Sequence, residues 1–390
     1  MKANPGGQID TKSVVGRSRL IHSLWETIEQ QSLVITAERR IGKTTVIKKM
    51  SREPKSGWVP VYQDLEGCHT AAEFAMVVYK EIHQFLTKRG KATRRAKELF
   101  KALGGVEIAG VFKLPESKVS PWKDVLTSAI EDLIHENDAT ESKLLFLWDE
   151  MPLMLANIKK RESEETAMEV LDLLRALRQM HGGLRMVITG SIGLHHVLSS
   201  LKEKDYANSP VNDMVSIEVP TLTEDDASTL AGLLIKGEGL ALSEATDAAT
   251  TIAREADCFP FYIHHIVKAL TMREWDATPE NVKKVVAAQL VHADDPWELL
   301  HYRVLIPLYY QKDERIVLLI LDELAVRSET VTVNDLLTHL KSVTPFDDRE
   351  RLLQLLSLME RDHYLKRDDR GRHGFKFPLI RRWWIINRGL

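Results

Sequence analysis

The run Ala37-Glu38-Arg39-Arg40-Ile41-Gly42-Lys43-Thr44-Thr45 holds the residue types and spacing most able to do chemistry in this sequence. It fits G-x-x-x-x-G-K-S/T, with Ala37 in place of the first glycine. In such a loop the backbone N–H groups, together with the positive end of the following helix, face a polyphosphate. Gly42 lets the backbone approach the phosphates without a Cβ in the way. The Lys43 ammonium can reach the β- and γ-phosphates, and the Thr44 hydroxyl can coordinate Mg²⁺. A second run, Lys143-Leu144-Leu145-Phe146-Leu147-Trp148-Asp149-Glu150, is an apolar strand ending in two carboxylates. Asp149 suits holding the Mg²⁺ through water, and Glu150 suits polarising an attacking water. Taken alone, the second run is also what a buried strand closing in an acidic turn looks like. The two runs occur in the right order, each at a strand end, where α/β proteins put their ligands, and this points to ATP or GTP.

The elements that must position these residues follow from hydrophobic patterning. Residues 18–30 read as an amphipathic helix with Leu20, Ile21, Leu24 and Ile28 on one face. Strands are expected at 32–36, 58–62, 143–148, 184–191 and 214–219, with helices between them, including 71–86, 121–135 and 162–180. Five strands alternating with helices imply a parallel sheet covered on both faces. Lys88, Arg89, Lys91, Arg94, Arg95, Lys97 and Lys101 form a basic run, and with a small hairpin or strand at 106–114 they make an insertion between core elements. After Pro220 the pattern is helical only, opening with the acidic helix start Thr223-Glu224-Asp225-Asp226. From 315 onward, three helices precede two short strands around the turn 367–372, the layout of a winged helix-turn-helix.

The 390 residues are enough for two or three domains. A net charge of −3 calls for no polyanionic partner through a global field. Cys68 and Cys258 match no metal or redox spacing, which fits a reducing compartment. The N-terminus lacks the apolar core of a signal peptide, and no apolar run is long enough to span a bilayer. A cytoplasmic protein is expected, with no membrane partner.

Val15-Gly16-Arg17, Arg39-Arg40-Ile41-Gly42-Lys43-Thr44-Thr45, Trp148-Asp149-Glu150 and Thr189-Gly190-Ser191, in that order, resemble the archaeal-type branch of P-loop ATPases. This branch is related to the AAA+ and STAND ATPases, origin-binding ATPases included, and often carries two arginines just before the G-K-T. The resemblance covers nearly the whole chain. It implies an α/β fold with an ASCE-type P-loop parallel sheet, then an all-α lid and a C-terminal winged helix. It further implies that Val15 and Gly16 border the adenine with Arg17 near it, and that Thr189 or Ser191 occupies a sensor position beside the phosphates. Phe259-Pro260-Phe261 resembles the G-x-P signature of STAND lids, whose proline packs on the nucleotide; Cys258 stands where that signature has glycine. Ser191 stands where many relatives have Asn or Arg, and no arginine finger is evident.

The boundaries expected on this basis are a flexible tail at 1–12, the ATPase core at 13–220, the lid at 221–295 and the winged helix at 300–390. The nucleotide, ATP or ADP with Mg²⁺ on Thr44 and Asp149, is expected between core and lid. Arg39 and Arg40 have two open readings: contact with the γ-phosphate or a neighbouring subunit, or a salt bridge bracing the loop. Asp64 and Glu66 read better as caps than as magnesium neighbours. His363 reads better as a surface residue than as the phosphate-touching histidine of closed STAND proteins. His195-His196 and His264-His265 match no metal pattern. Arg361, Lys366, Arg367, Arg370, Arg372, Lys376, Arg381, Arg382 and Arg388 make the C-terminal stretch basic, leaving double-stranded DNA and a packing role both open. The expected function is a Mg²⁺-dependent ATPase working as a nucleotide-controlled switch. An ATP-regulated DNA-binding protein of replication, transposition or defence, and a non-hydrolysing scaffold, remain as alternatives, with a homo-oligomer or protein partner open.

Overall fold

The computed structural model describes residues 1–88, 106–108, 111–113, 121–138, 142–190, 193–202, 210–240 and 245–390. Most of the basic run beyond Lys88, and Ser191, lie outside the described residues. The chain divides into two compact units, Ser18–Thr36 with Lys43–Val219, and Met1–Arg17 with Ala37–Gly42 and Pro220–Leu390.

The first unit is α/β. In chain order it holds α1 (Ser18–Ile28), β1 (Ser32–Thr36), α2 (Lys43–Arg52), β2 (Trp58–Asp64), α3 (Ala71–Lys88), β3 (Val106–Ile108), β4 (Val111–Lys113), α4 (Trp122–Asp138), β5 (Lys143–Asp149), α5 (Met151–Arg161), α6 (Glu164–Met180), β6 (Leu184–Thr189), α7 (Leu194–Lys202) and β7 (Met214–Glu218). Five strands form a parallel sheet in the order β2-β5-β6-β1-β7. β6 thus stands between the strand that leads into the phosphate loop and the strand that ends in Asp149, the ASCE arrangement. β5 is buried from Leu144 to Asp149, as its unbroken apolar run requires of a strand covered on both faces. Val34, Phe74, Tyr79, Phe146, Trp148, Met154 and Leu171 belong to one core built on this sheet. Ser163 separates α5 from α6 because its hydroxyl accepts the Thr166 N–H and starts the second helix. β3 and β4 pair as the small antiparallel hairpin expected of the insertion.

The second unit is largely helical. It holds α8 (Glu224–Glu238), α9 (Ala245–Glu255), α10 (Pro260–Met272), α11 (Pro279–Leu290), α12 (His301–Tyr310), α13 (Glu314–Val326), α14 (Val333–Val343), α15 (Arg349–Arg361), β8 (Leu365–Arg367), β9 (His373–Phe375) and α16 (Pro378–Arg388). Side-chain caps from Thr223, Thr278, Thr332 and Asp348 start α8, α11, α14 and α15, and a proline opens α10, α11 and α16. α13, α14, α15 and the β8–β9 hairpin form the winged helix, with Val331 bridged to His373 at its edge. α16 closes it: Trp384 is fully buried and donates to Asp322 at 2.8 Å. The Ala3 N–H donates to Glu238 at 2.7 Å, the Asn4 N–H donates to His264 at 3.1 Å, and Asp10 caps a 3-10 turn at Thr11–Ser13. These bonds use backbone donors, which leave no mark on residue type.

Asp257 and Cys258 sit in succession in the left-handed region, at φ +46° and +58°. Cys258 therefore keeps the backbone conformation that glycine favours, at the position where the lid signature resembled above has glycine. Asp257 accepts the Leu379 N–H at 2.6 Å and so fastens α16 to the end of α9, where Arg382 also bonds Glu255 at 2.6 Å. Burial pushes the Asp257 carboxyl up to about 6, against the Leu379 hydrogen bond and Arg382. The folded state therefore holds its proton more tightly than the unfolded chain, so stability falls as pH rises from about 4 through about 6. Asp257→Asn is expected to remove on the order of 2 kcal/mol of that pH dependence, allowing for solvent screening of a half-buried group, as read by denaturant midpoints at pH 4.5 and 7. Among the described residues no helix is long and apolar enough to cross a membrane.

Candidate functional site

β1 ends at Thr36 and α2 begins at Lys43. Gly42, just before the helix, has φ +99°, a conformation open to glycine and costly for other residues. Lys43 is buried at 9% exposure, and no acidic residue lies in the first turn of α2 to neutralise its positive end. β2 and β5 pair in register with Asp64 beside Asp149. The Asp149 carboxylate is buried and accepts from the Thr44 hydroxyl, with the Tyr62 hydroxyl 3.4 Å from its Oδ2. Burial pushes the Asp149 carboxyl up, and the charges of Glu150 and Asp64 push it further, while the Thr44 bond lowers it. Burial also pushes up the Tyr62 phenol, and Asp149 adds to the effect. A hydroxyl and a carboxylate crowded by further carboxylates are the hard oxygen donors that Mg²⁺ takes, and a cation there relieves the repulsion. Asp64 accepts the Glu66 N–H at 3.0 Å in the turn after β2, and it is Thr70 that caps α3, through the Glu73 N–H at 3.1 Å, in place of the helix-cap role favoured for Asp64 and Glu66.

Glu150 is held differently. It lies at φ +56° as the N-cap of α5, with no side-chain cap bond, and Pro152 follows in the first turn. That backbone conformation costs a non-glycine residue about 1–2 kcal/mol. Gly190, just past β6, packs directly against this turn. A Cβ there would lie 2.7 Å from Pro152 Cδ and 3.5 Å from Glu150 Cα. Gly190→Ala is expected to displace the turn and to destabilise the fold by about 1–3 kcal/mol, as read by denaturant midpoints of the two proteins. Thr189, at the end of β6, is 1% exposed, and its hydroxyl is buried without a hydrogen-bond partner. Such an orphan marks a place for a ligand or water. Ser191, the other sensor candidate, lies outside the described residues.

The remaining loop residues belong to the helical unit. Arg17 is buried and donates to the Ile41 carbonyl at 2.8 Å and to the Pro220 carbonyl at 2.7 Å. Burial lowers the Arg17 guanidinium to about 10, and Asp226 partly restores it. Val15 is half-buried; Gly16, at φ +71°, is so close to Asp226 and Leu222 that a Cβ would lie 2.6 Å from Asp226 Cβ. Glu38 is buried, takes the Arg39 N–H at 2.8 Å and bonds the Tyr302 hydroxyl. Arg40 pairs with Glu298 through Nε at 3.1 Å and through Nη2, and Arg39 Nη2 lies 3.1 Å from the same carboxylate. Arg40 also lies over the Phe261 ring, 4.7 Å from its centre. An ion pair bracing the loop, one of the two readings open for these arginines, is present. Pro260 is half-buried as the first residue of α10, and Thr45 is half-buried in the first turn of α2.

The C-terminal basic residues are mostly engaged. Arg372 pairs with Asp368, Arg382 with Glu255 and Arg388 with Asp322, while Arg381 donates to the Ala325 carbonyl and Lys376 meets His363 at 3.0 Å. Arg361, Lys366, Arg367 and Arg370 are exposed, and Arg367 lies 3.8 Å from Glu360.

A five-stranded parallel sheet with β6 between β1 and β5, then helices and a winged helix, is a P-loop α/β fold. The structure is similar to the Walker-type ATPase PABY2304 of Pyrococcus abyssi, at a TM-score of 0.63 and 14% identity over 96% of each chain. It is also similar to the ORC2 protein of Aeropyrum pernix in its ADPNP–ADP complexes, at a TM-score of 0.51 and 11% identity over 99% of this chain and 96% of that one. At these identities the likeness is one of fold. No protein-family model matches the sequence, nor does any curated protein.

Sequence reasoning missed Tyr62, Gly190, Glu38, Tyr302 and Glu298. Tyr62 had a signal, since it lies two residues before Asp64, at the acidic end of an expected strand. Glu298 had none, being 258 residues from its partner Arg40.

Proposed function

We propose that the chain is a Mg²⁺-dependent ATPase that works as a nucleotide-controlled switch. The observation that carries this reading is the buried Asp149 carboxylate, bonded to the Thr44 hydroxyl one residue after Lys43. In this reading the α2 N-terminus and Lys43 bind the β- and γ-phosphates. Thr44 and Asp149 hold Mg²⁺, which when bound neutralises phosphate charge. Glu150 accepts a proton from the attacking water, Thr189 supplies a polar contact at the phosphate end, and Val15, Gly16 and Arg17 lie toward the base. The relative PABY2304 is described as an ATPase and ORC2 as an ADPNP–ADP complex, which supports the same ligand class here. The left-handed Glu150 turn supports hydrolysis over a non-turning scaffold, because it places a carboxylate that does no capping beside the metal ligand.

The output is assigned to the helical unit, whose lid helices and winged helix share the Glu255–Arg382 and Asp257–Leu379 contacts. Duplex DNA has a smaller surface than composition implied: Arg361, Lys366, Arg367 and Arg370. The test is ATP turnover by the full chain with magnesium, across protein concentration and with and without duplex DNA. Turnover that needs magnesium supports the ATPase, and a rise with DNA or with concentration identifies the partner as DNA or a second copy. No turnover under any condition overturns the hydrolytic reading.

A further inference from the structure

Residues Ala37–Gly42 are held by several side chains of the helical unit to which they belong. Arg17 grips the Ile41 carbonyl, Glu38 is buried against Tyr302, and Phe261 carries the Arg40 guanidinium. Glu298 adds a fourth tie of another kind, one carboxylate shared by two guanidiniums. All three side chains of this cluster are reachable by solvent, at 41% exposure for Arg39, 32% for Arg40 and 35% for Glu298. The carboxylate remains a full anion, since Arg40 and Arg39 lower it against a burial that raises it. Its place is also built. Asp295 accepts the N–H groups of Leu299 and Leu300 at 2.8 and 2.7 Å, and Trp297 is fully buried against Tyr262, 5.1 Å between ring centres. Glu298 itself is at φ +55°, and Arg40 faces it at φ +66°.

Two guanidiniums converging on one solvent-reachable anion, three and four residues before the lysine of a phosphate loop, form an anion-exchange site. We propose that Glu298 holds Arg39 and Arg40 in the place of a nucleotide's terminal phosphate, so that this cluster sets the preference for the triphosphate over the diphosphate. The proposal rests on the nucleotide reading above. A carboxylate carries one negative charge and a γ-phosphate about two; in this proposal the γ-phosphate takes the pair from Glu298, and the diphosphate has no γ-phosphate to do so. Glu298 lies in the turn between α11 and α12, where the expected lid ends and the winged helix begins.

Affinities of the full chain for ATP and for ADP, measured by titration calorimetry on the wild type, Glu298→Gln and Arg39→Gln, test this. Glu298→Gln removes the competing charge at constant size, and the ratio of ATP to ADP affinity is expected to rise about tenfold. Arg39→Gln leaves Arg40 paired with Glu298, and the ratio is expected to fall by a similar factor. Equal changes for both nucleotides, or a lower ratio in Glu298→Gln, overturn the proposal. If Glu298→Gln does not fold by thermal melt, Arg39→Gln decides, an unchanged ratio overturning it. A wild type that binds neither nucleotide sinks the nucleotide reading itself; a wild type that binds both, with variants that match it, sinks only the role of Glu298.

Discussion

Lys43→Ala abolishes measurable ATP binding, a loss of at least about 100-fold in affinity, while the melting temperature of the ligand-free protein changes little. The expectation follows from where the charge sits. Lys43 is the first residue of α2 and is buried, after a glycine whose φ of +99° no other residue adopts easily. An ammonium there adds charge-assisted bonds to phosphate oxygens in a partly dehydrated place, where each is worth roughly twice a neutral bond. Alanine keeps the helix and leaves the helix N-terminus to hold the phosphates alone. Calorimetric titration of the two proteins with ATP checks the loss, and wild-type affinity in the variant removes Lys43 from the site.

Glu150→Gln leaves ATP affinity within about threefold of the wild type and lowers turnover by about 100- to 1,000-fold, the range over which a positioned general base acts. The carboxamide keeps the size of the side chain and its left-handed backbone but accepts no proton. Glu150 is separated from Asp149 by the end of β5: the aspartate is buried and bonded to Thr44, and the glutamate is half-exposed with no capping bond. That separation is why the two adjacent carboxylates are expected to respond differently. Asp149→Asn acts on metal holding and so on binding. Single-turnover hydrolysis with nucleotide in excess reads the Glu150 effect apart from affinity, and unchanged turnover contradicts the assignment.

What the sequence made legible is contiguous. A phosphate loop, an apolar strand with its terminal carboxylates, and a helix start such as Thr223 each declare themselves within about ten residues, because local backbone geometry selects the residue types. The parallel sheet was legible for the same reason, since unbroken apolar strands imply cover on both faces. The bracing of the loop was not. Glu298, Tyr302 and Phe261 reach Glu38 and Arg40 across more than two hundred residues, and nothing in their own neighbourhoods marks them. Gly190 read as part of a strand end; its reason for being glycine is the close approach of Pro152. In the C-terminal basic stretch Asp322, Glu255 and Asp368 answer several of the charges, partners that composition does not count. Arg39 and Arg40 were visible as unusual, and the structure supplies the carboxylate between them.

The central claim is that Thr44, Asp149 and Lys43 make one magnesium-and-phosphate site. Titration of ATP into the wild-type chain, first with magnesium and then after chelation, tests it most directly. The expected result is saturable binding at about one nucleotide per chain that weakens at least tenfold when the metal is removed. Absence of binding, or binding with the same affinity in both titrations, contradicts the account.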